Sequence, residues 1–83
     1  MYNYFITPSH GYLEIDLNKY PNIIEIVSGY SFIDRQSNKL YAEEDCDMQK
    51  VMSMLDIKDN QLKEVFDDKE KIKTVFTRLD QLA

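Results

Sequence analysis

The chain has one cysteine, Cys46, one histidine, His10, no tryptophan, two glycines and two prolines in 83 residues. One cysteine excludes an intrachain disulfide. A secreted domain of this size ordinarily carries several, so a reducing, cytoplasmic setting is expected. A lone histidine leaves little material for a zinc centre, and no metal or cofactor is expected. Scarce glycine and proline leave no linker, repeat or low-complexity segment. No apolar run approaches the roughly 20 residues that a membrane-spanning helix needs. The opening MYNYFITPSHGYLEIDL has neither a basic start nor an apolar core, so it reads as a strand rather than a signal peptide.

Basic residues are also in the minority. Ten lysines and arginines face fifteen acids, for a net charge of −5. All of that excess lies in residues 1 to 47, which hold eight acids and three bases; the remainder is balanced at seven of each. A negative field of this kind repels nucleic-acid phosphates and suits a protein partner with a basic surface. The composition is otherwise that of a folded domain, with 43% hydrophobic and 12% aromatic residues, six of the ten aromatics being tyrosine. At this length a single core is expected, and small unstapled domains need nearly every apolar residue for packing.

The pattern predicts an α+β domain: a small antiparallel sheet of three to five strands packed against two or three helices. Residues 2 to 6 are rich in strand formers, and Thr7 to Gly11 read as a turn. Residues 12 to 17 alternate, with Leu13, Ile15 and Leu17 on one face and Tyr12, Glu14 and Asp16 on the other. Pro21 suggests a short helix within residues 18 to 28, with Asn18 as its cap, although the apolar run there also fits a strand. Residues 30 to 33 and 39 to 43 read as strands joined by a polar turn. Met48, Val51, Met52 and Leu55 mark one face of a helix, for which Asp45 is the expected N-cap. Residues 61 to 66 fit helix or strand. The stripe Ile72, Val75, Phe76, Leu79 and Leu82 predicts a final helix capped by Asp67 or Asp68, its buried face including Phe76.

Three features carry possible chemistry. His10 sits in the Ser9-His10-Gly11 turn, where it could act as a base or a contact, or simply bond to backbone. The run Glu43-Glu44-Asp45-Cys46-Asp47 offers oxygen ligands but lacks the spacing of a calcium loop, and successive strand residues point to opposite faces. It reads as a capping cluster and acidic contact patch. A helix start would lower the Cys46 thiol pKa while the flanking carboxylates oppose this, so Cys46 reads as a half-buried packing residue. The aromatics Tyr2, Tyr4, Tyr12, Tyr30, Phe32 and Tyr41 could stack bases, but the acidic field argues for cross-strand packing instead. Met48 and Met52 fill the core side of the helix, with Met54 nearer the surface.

The segments TPSHGYLEI (7–15), SGYSF (28–32) and LYAEEDCDM (40–48) resemble motifs of a group of short bacteriophage and mobile-element proteins. The usual pattern is HGYL, then a YSY-like segment, then YLEEDCD opening a helix. Here Phe32 replaces the second tyrosine and Ala42 the leucine. The resemblance implies a phage-type origin and a shared surface around these segments, and no activity. The expectation is a small acidic, non-enzymatic binding protein, such as a phage-encoded modulator or inhibitor of a host machine, a nucleic-acid-handling defence effector being one example. The expected partner-binding residues are Glu43, Glu44, Asp45, Asp47, His10 and Tyr12. The alternatives are a small enzyme using His10 with Cys46 or a carboxylate, and a phage structural or assembly subunit.

Overall fold

The computed structural model describes residues 1–82. Its strands are β1 (Tyr2–Ile6), β2 (Gly11–Asp16), β3 (Phe32–Asp34), β4 (Lys39–Glu43), β5 (Leu62–Phe66) and β6 (Thr77–Arg78). They form one sheet in the order β5-β1-β2-β4-β3-β6. All neighbours are antiparallel except β1 and β5, which run parallel. At the level of class, α+β fits, but the sheet is mixed and has six strands where an antiparallel sheet of three to five was expected, and one 12-residue helical segment with shorter turns stands in place of two or three helices.

Period-two alternation in β2 and β4 separates two apolar layers. Leu13 opposes Ala42 and Ile15 opposes Leu40, and these four side chains lie in the main core. The helical segment covers them with Met48, Val51 and Met52, spaced as the sequence pattern requires. That segment begins with a π-helical turn at Glu44–Met48 and continues as α1 (Gln49–Leu55), ending at Asp56 in the left-handed conformation (φ 55°). Ile23 joins the same core from a short 3₁₀ helix, Pro21–Glu25. That helix opens on Pro21 with Tyr20 at the cap position and no side-chain cap; the Asn18 Oδ1, expected to cap it, accepts from the Asn38 side chain.

The opposite sheet face carries a smaller aromatic layer of Tyr12, Phe32 and Tyr41, closed by Ile72 with Phe5 and Phe76. Here the expected long final helix is replaced. The helix α2 spans only Lys71–Val75, and the chain then extends through β6 into a single 3₁₀ turn at Leu79–Gln81. The Asp67 carboxylate accepts from the Lys71 and Ile72 amides, as a capping role requires. The helix stops because tertiary pairing wins over local periodicity. Thr77 and Arg78 pair with Ile33 and Phe32, and the Leu79 amide donates to the Ser31 carbonyl. Val75 is left 69% exposed, whereas Phe76 stacks on Tyr41 at 4.8 Å.

Leu40→Ala is expected to cost about 3 kcal/mol through lost burial and a residual cavity. Val75→Ala is expected to stay within about 0.5 kcal/mol, as for an exposed position. Denaturant melts measure both, and a large loss for Val75→Ala would restore the long amphipathic helix.

Candidate functional site

The three sequence motifs meet on one side of the molecule. In the HGYL segment His10 ends the turn after β1 and Gly11, Tyr12 and Leu13 open β2; the YSF segment runs into β3 at Phe32, and EEDCD spans the last residue of β4 and the start of the helix. His10, Tyr12, Phe32, Glu43, Asp45 and Cys46 line one open cleft of about 270 Å³, which Tyr30, Lys73 and Arg78 complete. Register explains the convergence. Tyr12 opposes Glu43 across β2 and β4, and the Tyr12 and Phe32 rings meet edge to face at 5.6 Å. The His10 backbone is fixed by Thr7, whose Oγ1 accepts from the His10 amide and donates to its carbonyl. Gly11 is needed because the Tyr4 ring lies against it, where a Cβ would collide with the phenol. The Tyr4 hydroxyl in turn donates to Glu44 Oε2 at 2.6 Å.

The expected acidic patch is divided by folding. Glu44 and Asp45 are exposed, but Glu43 is 6% exposed and Asp47 is fully buried. Glu43, not Asp45, caps the helix: its carboxylate accepts from the Asp45 and Cys46 amides at 3.2 and 3.0 Å. Strand β4 holds Glu43 extended, and its longer side chain reaches back over the first helical amides. Asp47 turns inward and accepts from the Ser28 amide and hydroxyl, both at 2.8 Å, and from the buried Ser31 hydroxyl. Lys50 Nζ lies 3.1 Å from the same carboxylate. Ser31 also accepts from the Glu43 amide at 2.9 Å, linking β4 to the helix through one hydroxyl. Burial alone would raise the Asp47 pKa; the Ser31, Ser28 and Lys50 bonds outweigh it and hold the carboxyl below its usual value.

Tyr12 is also buried, at 2% exposure, and so supplies a wall of the cleft more than an outward contact. His10 is half-exposed, with Nδ1 3.6 Å from Glu43 Oε1. Cys46 is exposed rather than half-buried. The Glu43 carboxylate beside its thiol raises its pKa, with partial desolvation and the charges of Asp47 and Asp45 acting in the same direction. Folding does bring His10 and Cys46 to one cleft, but with the thiol held protonated, which disfavours a nucleophile. Lys73 and Arg78 were not legible as site residues, because a continuous final helix does not place them beside β3. Arg78 is paired with Asp80 at 2.8 Å and lies over the Tyr30 ring.

A larger cleft lies between the β1–β5 edge and α2, lined by Phe5, Val65, Phe66 and Phe76 among others, and of the three motifs it touches Tyr41 alone. No helix among the described residues is long and apolar enough to cross a membrane. Comparison of the chain with protein-family models, with curated proteins and with solved structures gives no match.

The raised thiol pKa has a direct kinetic consequence. At neutral pH, Cys46 is expected to react with iodoacetamide more slowly than an unstructured peptide cysteine, and Glu43→Gln is expected to speed it by removing the opposing charge. A wild-type rate faster than the peptide's would contradict this electrostatic account.

Proposed function

We propose that the chain is a small non-enzymatic binding protein that engages a protein partner with a basic surface through the cleft where its three motifs converge. The observation that carries the reading is that convergence: segments beginning at residues 7, 28 and 40 line a single open cleft. The exposed acid lining it is Asp45, next in the chain to the exposed Glu44, in the half that holds the whole negative excess. The protonated state of Cys46 weighs against the enzymatic alternative. A phage-type modulator or inhibitor of a host machine is the biological setting that the motif resemblance suggests for such a protein.

Long-range attraction between exposed charges acts mainly on association rate and is screened by salt. After a partner is captured from host lysate at moderate salt, the paired change Glu44→Lys and Asp45→Lys is expected to slow association about tenfold or more at low ionic strength. The loss should shrink as salt rises. The paired control Glu25→Lys and Asp59→Lys, at exposed positions outside the cleft, is expected to have a much smaller effect. Equal binding by both double variants would remove Glu44 and Asp45 from the contact surface.

A further inference from the structure

The sequence separates its one histidine from the acidic run by more than thirty residues, and folding closes that gap. We infer that His10, Glu43 and Asp45 form a binding site for a divalent transition-metal ion of the zinc class. Each residue offers a ligand atom, and the three atoms lie within 4.8 Å of one another. The donor set is one imidazole nitrogen and two carboxylates, contributed by the turn between β1 and β2, the end of β4 and the first turn of the helix. Imidazole selects zinc, nickel or similar ions over magnesium and calcium, which prefer all-oxygen sites.

Three features make this more than a collection of acids. The Glu43 side chain is 7% exposed and held by two backbone amides, one on each oxygen. A carboxylate has about four acceptor positions, so acceptor capacity remains for an ion while the group stays fixed. Its separation from His10 Nδ1, 3.6 Å, is too long for a hydrogen bond. It is close to the roughly 3.4 Å that separates two donors on one tetrahedral ion with bonds near 2.1 Å. Among the described residues, the Asp45 carboxylate accepts no hydrogen bond, so its exposed side chain can rotate to complete the set.

The cleft leaves an entry path and an open coordination position. Lys73 lines the same cleft and opposes cation binding, whereas the Arg78 charge is offset by Asp80. Three protein ligands against that opposing charge place the affinity in the micromolar range, weaker than a four-ligand structural zinc site. The inference does not depend on the partner, because the isolated chain can be titrated.

Isothermal titration of zinc chloride into the full chain at neutral pH is expected to show one ion bound per chain, with magnesium chloride giving no comparable signal. His10→Ala and Asp45→Asn should each weaken zinc about tenfold or more, and Glu25→Gln, at an exposed position outside the cleft, should leave it nearly unchanged. Circular dichroism establishes that the variants are folded. In the wild type, zinc should also shift the His10 ring resonances in nuclear magnetic resonance spectra. The site is refuted if zinc binding does not saturate or if both ligand variants bind as well as the wild type.

Discussion

The Asp47 carboxylate, buried beneath the Ser28–Ser31 segment, is the interaction on which the arrangement of the site depends. It joins the helix to the loop that enters β3, and through Ser31 it reaches the amide of Glu43 at the end of β4. A charge without water is costly unless its acceptor positions are filled. Here they are filled by two serine hydroxyls, a backbone amide and Lys50. The helix start is thereby set against the sheet in one register, and the Glu43 carboxylate is left to cap the helix and face His10. The HGYL, YSF and EEDCD segments share a cleft because this small polar network lies behind them.

Much of the frame was legible in the sequence. Alternation in residues 12 to 17 identified one central strand and its core face, residues 39 to 43 read as the other, and the three-four spacing from Met48 to Leu55 identified the covering helix. The errors have physical causes. Residues 71 to 82 have helical periodicity, but Thr77 and Arg78 can pair with β3, and long-range pairing overrides a local pattern of that length. Residues 62 to 66 become a strand by joining β1 in parallel, a contact that no local signal specifies. The charge run reads from sequence as a capping cluster and a contact patch, but a helix start turns its acids in different directions. Glu43 and Asp47 go inward, and Glu44 and Asp45 remain outside.

The site was visible in part for the same reason. Motif resemblance marked His10, Tyr12 and the acidic run; His10, Tyr12, Glu43 and Asp45 share the cleft, whereas Glu44 and Asp47 do not line it. Ser31 was visible only as the middle letter of Tyr30-Ser31-Phe32, where a small polar residue between two aromatics gives no hint of a buried carboxylate partner. The arrangement places an aromatic wall beside a protonated thiol, a half-exposed imidazole and two carboxylates of different burial.

The claim that the Ser31–Asp47 bond holds helix and sheet together is tested most directly by a double-mutant cycle on stability. Ser31→Ala, Asp47→Asn and the double variant would be compared with the wild type in denaturant melts. Residues that share a buried hydrogen bond are expected to be coupled, here by about 1 kcal/mol or more. Additive losses, agreeing within about 0.3 kcal/mol, would contradict the account and leave the two side chains as independent neighbours.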